Sequence, residues 1–223
     1  MKLTVFGASG GTGRELVRRA ADAGHEVTAV VRDAGRLPAD LLDRIAVVEA
    51  DLADPAAVEK AVLGRDAVIS TIGTRELKHP TTVCADAARA LTTAVHAAAR
   101  PGADSTGRLG VRLVIASNSA MAPGPGDDPF TRFVVKPLIL ARVLRHMLDD
   151  MRRAEDHVRA SDTAWTIVRA GRLTNHPAKG RYRGRVDRNV PGGFQITRSD
   201  FAAALLDAAI NPSSTGHTIS VAN

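Results

Sequence analysis

Two hydrophobic periods take turns along this chain. Lys2-Leu3-Thr4-Val5-Phe6 is a short apolar run that ends at glycine and predicts a first strand. Leu16, Val17 and Ala20 then recur at helical spacing, with Arg14, Glu15, Arg18 and Arg19 around them, which predicts a helix with one buried face. His25 to Val31 predicts a second strand and Ile45 to Glu49 a third. Asp54-Pro55 caps and opens a helix that runs to about Leu63. Asp66 to Thr71 predicts the fourth strand, Pro80 to Ala99 a long alanine-rich helix, and Val111 to Ala116 the fifth strand. Ala122 to Pro129 reads as a Pro/Gly/Asp loop, Lys136 to Ala160 as a helix, and Ala164 to Val168 as the sixth strand. A hairpin around Arg181 to Val186, a helix from Ser199 to Ile210 and a last strand from Thr218 to Val221 complete the pattern.

Strands that alternate with helices to the end of a chain predict an α/β fold with a doubly wound parallel sheet of the Rossmann type. At 223 residues the chain holds one such domain, 1–223, with its last third modified to cover a pocket. Ligands of these sheets lie at the carboxyl ends of the strands, where the winding direction reverses.

That rule singles out the first strand end. Gly7-Ala8-Ser9-Gly10-Gly11-Thr12-Gly13 stands between strand and helix. Gly7 allows the tight turn, Gly10 lets backbone approach a pyrophosphate, and Gly13 lets the helix pack on the strand. With Ser9, Gly11 and Thr12 they form a phosphate loop whose open amides face a dinucleotide. The second strand ends in Arg32-Asp33, with Arg36 close behind. A guanidinium at this point can fork onto a 2′-phosphate, which favours NADP(H) over NAD(H), although Asp33 could instead turn towards the ribose. Further strand ends join the same site. Asp51 and Leu52 are expected at the adenine edge, Thr71, Ile72 and Gly73 along the ribose, and Arg75 over the pyrophosphate. Ser117, Asn118 and Ser119 are expected beside the nicotinamide, and Arg169 follows the sixth strand.

Composition narrows the partners. Thirty basic residues against 24 acidic ones give a net charge of +6, and seven of the basic residues fall between Arg169 and Arg188. Tyr182 is the only aromatic residue in that segment, so no stacking platform for single-stranded nucleic acid is present. The expected partner is a small-molecule electron acceptor rather than nucleic acid or a membrane, and the oligomeric state stays open. The single cysteine, Cys84, excludes an internal disulfide framework, and a cytoplasmic location is the default expectation. The seven histidines lie far apart, so no metal is expected.

The reaction is constrained by what is missing. Tyr182 is the only tyrosine and residue 186 is Val, so the Tyr-x-x-x-Lys proton source of alcohol–ketone chemistry is absent. Ser119 and Glu155 remain as candidate catalytic, proton-handling groups. The alternatives are a Ser119 that only bonds the nicotinamide amide, and a Glu155 that is solvated or paired with Arg152 or Arg159. A bound reduced nicotinamide without a strong acid suits a conjugated acceptor such as a flavin, quinone or tetrapyrrole, whose spread charge water can neutralise.

The chain resembles the atypical short-chain dehydrogenase/reductases that bind NAD(P)H, most closely the biliverdin-IXβ reductase/flavin reductase group. The likeness rests on the phosphate loop, Gly73-Thr74-Arg75 through Pro80-Thr81-Thr82-Val83, Ser119-Ala120, Trp165 to Arg169, and Ile196-Thr197-Arg198-Ser199-Asp200. It implies NADPH-dependent hydride transfer to a flavin, quinone or linear tetrapyrrole, with Ser119 near nicotinamide and substrate. Two departures stand out: Glu155 occupies a position where the group carries histidine, and Arg100 to Leu109 is an insertion. Relatives of the same fold include NADP-sensing regulators that bind without turnover, which is the alternative reading.

Overall fold

Eight strands form one sheet in a computed structural model that describes residues 1–74, 76–98, 110–121 and 144–223. In chain order the strands are β1 (Lys2–Phe6), β2 (Glu26–Val31), β3 (Ala46–Glu49), β4 (Ala67–Ser70), β5 (Arg112–Asn118), β6 (Ala164–Ala170), β7 (Arg172–Thr174), β8 (Arg183–Val186), β9 (Gln195–Thr197) and β10 (His217–Ala222). The helices are α1 (Gly11–Asp22), α2 (Ala39–Leu42), α3 (Pro55–Val62), α4 (Val83–Ala98), α5 (Arg145–Arg159) and α6 (Arg198–Ile210). The large sheet runs β3-β2-β1-β4-β5-β6-β10-β8, all parallel except β8. Val5 of β1 lies between Ala29 of β2 and Ile69 of β4, so the winding reverses on either side of β1.

Two apolar layers follow from that reversal. On one face Leu3, Val5, Ala29 and Ile69 meet Leu16, Val17 and Ala20 of α1 and Phe201, Leu205 and Ala209 of α6. On the other, Phe6, Val68, Leu113 and Ile167 meet Val58 and Val62 of α3, Leu91 and Val95 of α4 and Val158 of α5. Central strands buried on both faces read as continuous apolar runs, and β4 is buried at every position.

The strands and helices sit close to their predicted places, with Asp54 accepting from the amides of Ala56 and Ala57 to cap α3. The Ala122 to Pro129 loop, the first part of the Lys136 helix and the Arg100 to Leu109 insertion lie outside the described residues. One expectation is corrected. Arg183–Val186 is not half of a local hairpin but an edge strand on β10, pairing Val186 with Ile219 and Gly184 with Val221. Fully exposed strand positions carry no alternating pattern, so pairing with a distant strand leaves no local trace.

The C-terminal third is tied down by one buried carboxylate. Asp200, in the first turn of α6, accepts from the hydroxyl of Thr197, from the amides of Lys179 and Gly180, and from the side chain of Asn223. A short parallel ribbon, β7 with β9, brings Arg172–Thr174 beside Gln195–Thr197. No helix among the described residues is long and apolar enough to cross a membrane.

Candidate cofactor site

Glycine chemistry shapes the turn from β1 into α1. Gly7 has φ +76°, and its carbonyl accepts from the Gly10 amide at 3.0 Å. A Cβ on Gly13 would stand 2.3 Å from that same carbonyl and 2.8 Å from Ala8 Cα. Helix and strand therefore approach as closely as backbone permits, and only glycine fits at 13. The Thr71 hydroxyl donates towards the carbonyls of Phe6 and Gly7, 3.1 Å from each, which fastens the end of β4 to the turn. The sequence reading placed Thr71 along a ribose; its hydroxyl is committed to the loop.

The start of α1 differs from those of α3, α4 and α6. Asp54 caps α3, Thr197 caps α6, and α4 is capped by Asp150 of α5, whose two oxygens accept from Cys84 N at 2.9 Å and Ala85 N at 3.0 Å. At α1 the N-cap is Gly10, no side chain caps the helix, and no acidic residue lies in its first turn. Ser9, Gly10 and Gly11 thus border amides that carry the positive end of the helix dipole and have no protein acceptor. The arrangement fits a dinucleotide's pyrophosphate.

The end of β2 provides the next wall. Asp33 turns back and accepts from Gly35 N at 2.9 Å, capping the 3-10 turn Ala34–Arg36. Glu49 accepts from Ala34 N at 2.7 Å, and Arg14 of α1 donates to the Arg36 carbonyl at 2.6 Å. One oxygen of Asp33 is engaged by its own turn, and Asp33, Arg32 and Arg36 are all exposed. Asp51 is exposed and accepts from Ala53 N in a turn of its own, and Leu52 packs partly on the second core.

At the far end, β4 and β5 open above a recess lined by Ser70, Ile72, Cys84, Ile115, Ser117 and Met151. Gly73 faces open space, and Arg75 lies outside the described residues. Ser119 is half-buried at the start of a 3-10 turn, and Asn118 accepts from Ala120 N at 2.8 Å to hold that turn. Glu155 is 1% exposed and receives three side chains. Ser117 Oγ donates at 2.7 Å, Arg169 Nε at 2.8 Å and Arg159 Nη2 at 2.6 Å. Burial works to raise this carboxyl, but the hydrogen bonds and charge of Arg169, the Ser117 hydroxyl and the Arg159 charge hold it below the ordinary carboxylate range. An ionised, fully partnered Glu155 has no proton to give.

This geometry reassigns three expectations. Ser117 and Arg169, expected at the cofactor, both donate to Glu155, and Glu155, expected to handle protons, ties the end of β5 to β6. Two further groups among the described residues could be proton donors, Cys84 and Tyr182. Burial and Asp150 push the Cys84 thiol up to about 12. Tyr182 donates to Asp207 near the end of α6 at 2.6 Å, and burial with that carboxylate raises its hydroxyl.

Arg198 escaped the sequence reading. It is the first residue of α6, yet its side chain crosses to α1 and lies against Gly11 and Thr12, 186 residues away. One signal was available, because a basic residue in a helix's first turn opposes the dipole and is explained by a use elsewhere.

The family model for NAD(P)H-binding proteins matches residues 7–212. The chain belongs to that NAD(P)H-binding family. Solved structures share the family fold over the whole chain. A short-chain dehydrogenase/reductase from Veillonella parvula DSM 2008, in complex with NADP, is 19% identical with a TM-score of 0.74, covering 100% of this chain and 94% of that one. The oxidoreductase ylbE from Lactococcus lactis is 20% identical with a TM-score of 0.75, over 100% and 91% of the two chains. A candidate NADH-flavin reductase from Streptococcus pneumoniae TIGR4 is 21% identical with a TM-score of 0.74, over 100% and 99%.

Proposed function

We propose that this protein is an NADPH-dependent reductase that delivers hydride to a conjugated acceptor, a flavin, a quinone or a linear tetrapyrrole. The observation that carries the reading is the uncapped start of α1 above β1, joined at the far strand ends to a site where the buried carboxylate of Glu155 is held by Ser117, Arg159 and Arg169. A reduced nicotinamide, when bound, supplies the hydride with its electron pair. The protein's part is to bind, orient and exclude water. Gly10 and Gly11 admit the phosphates, Arg32 meets the 2′-phosphate while Asp33 is held by Gly35, and Ser119 orients the carboxamide or the acceptor. Glu155 positions Ser119 indirectly, by anchoring Ser117 two residues before it. A delocalised acceptor anion takes its proton from water, so no side-chain acid is required. The likeness to the streptococcal protein named as a candidate NADH-flavin reductase agrees with this choice of acceptor class.

The test is a turnover assay with NADPH and a panel of FMN, riboflavin, quinones and biliverdin, following loss of the reduced-nicotinamide absorbance. Steady turnover on at least one acceptor, with deuterium moving from C4 of labelled NADPH, is the expected result. Tight NADPH binding without turnover on any of them overturns the reductase and leaves an NADP(H) sensor.

A further inference from the structure

We infer that Arg198 is a pyrophosphate ligand of the cofactor site, delivered to the phosphate loop from the far end of the chain. The inference rests on the NAD(P)H-binding reading and adds to it a residue outside the loop. Three observations converge on this side chain.

The first is contact. A Cβ placed on Gly11 would stand 2.9 Å from Arg198 Cδ and 3.1 Å from its Nε. Gly11 is not among the glycines with positive φ, so turn geometry does not demand glycine there. The neighbour that a side chain at 11 would displace is the arginine, lying across the first turn of α1.

The second is charge. Arg198 Nε donates to Asn175 Oδ1 at 2.9 Å, and Nη1 reaches Thr12 Oγ1 at 3.4 Å. Both partners are neutral, and no carboxylate among the described residues forms an ion pair with Arg198. The guanidinium adds its positive charge to the uncapped amide end of α1 and begins a helix whose own dipole opposes it. The start of α6 has its own cap in Thr197 and its own carboxylate in Asp200, so the positive charge left for an anion lies at the uncapped start of α1, where the guanidinium adds to it.

The third is geometry of donors. Asn175, one residue beyond β7, holds the guanidinium by Nε and Thr12 of α1 lies within reach of Nη1, which leaves Nη2 without a partner among the described residues. A planar fork held at one edge suits a phosphate oxygen better than a mobile lysine would. The cofactor thereby links α1 to α6, and the chain's last third takes part in binding.

Because the pyrophosphate is common to NADPH, NADH and ADP, removing Arg198 must weaken all three alike. Titration calorimetry of the wild type, Arg198→Met, Arg198→Lys and Gly11→Ala with NADPH, NADH, ADP and 2′-AMP tests this. Arg198→Met is expected to weaken NADPH, NADH and ADP by one shared factor, roughly ten- to a hundredfold. Binding of 2′-AMP, which has no pyrophosphate, is expected to stay within about twofold. Arg198→Lys keeps the charge without the fork and falls between, while the Gly11→Ala methyl displaces the arginine and reproduces a partial loss. Thermal melts of the unliganded variants check folding, and Arg198→Lys carries the comparison if the methionine variant unfolds. Unchanged affinity in both Arg198 variants overturns the inference, as does a loss confined to NADPH, which assigns Arg198 to the 2′-phosphate. Failure of the wild type to bind any dinucleotide overturns the underlying reading instead.

Discussion

Arg32 and Asp33 stand side by side at the end of β2, and the proposed preference for NADPH can be tested on these two residues. One oxygen of Asp33 accepts from Gly35 N, and Arg32 is exposed. A charge-assisted bond contributes about 1.5–3 kcal/mol. Arg32→Ala is therefore expected to weaken NADPH roughly ten- to a hundredfold and to leave NADH nearly unchanged, as read by calorimetry. Equal losses for both would make Arg32 structural. Ser119 poses the matching question at the other end of the site. As an orienting hydroxyl its loss in Ser119→Ala should slow the reduction about 10–100-fold, against an essential acid whose removal would abolish the reaction and whose pKa the rate would follow. Stopped-flow rates across pH separate the two.

At the scale of elements, α4 and α5 are joined by a cap supplied in trans. Asp150 is fully buried and its oxygens close the start of α4, while its charge also acts on the Cys84 thiol. Asp150→Asn leaves one of those amides without an acceptor, and a buried unsatisfied donor costs about 1–3 kcal/mol. Burial still raises the thiol in that variant, but the carboxylate's contribution is gone, so Cys84 should titrate below about 12. Thiol titration in the folded state, alongside chemical denaturation, checks both effects. A stability loss with no movement of the thiol would mean that burial alone sets Cys84.

For the whole molecule, acid sensitivity follows from its buried carboxylates. Glu155 is shifted below its ordinary value of 4.5, against burial, by Arg169, Ser117 and Arg159. Asp200 is shifted below 3.8, again against burial, by the amides of Lys179 and Gly180, the Thr197 hydroxyl and Asn223. A carboxyl depressed in the folded state contributes fully above its unfolded pKa, and the contribution is lost as pH falls through the folded one. Stability should hold from neutrality down to the ordinary carboxylate range and then drop. Glu155→Gln should be less stable at neutral pH by about 3 kcal/mol, because two guanidiniums lose their buried partner. Its melting temperature should also fall less steeply in acid than that of the wild type. Parallel acid limbs for the two proteins would remove Glu155 from the account.

The sequence determined what depends on local order. Alternating apolar periods specified the parallel sheet, because a strand buried on both faces and a helix buried on one leave different marks. Gly7 and Gly13 marked the tight turn from β1 into α1, since φ +76° at Gly7 and backbone 2.3 Å from a Cβ at Gly13 exclude side chains there. The place of Arg32 at the end of β2 was legible because the apolar run of that strand stops there. Tertiary structure alone decided the partners of charged groups. Glu155, Ser117 and Arg169 stand on α5, β5 and β6, and nothing in their spacing says that they meet one another rather than a ligand. The pairing of β8 with β10 is equally silent, as both faces of an exposed edge strand look alike. Arg198 is the limiting case. Its neighbours at Gly11 and Thr12 become neighbours only when α6 packs beside α1, and a side chain's charge acts through space rather than along the chain.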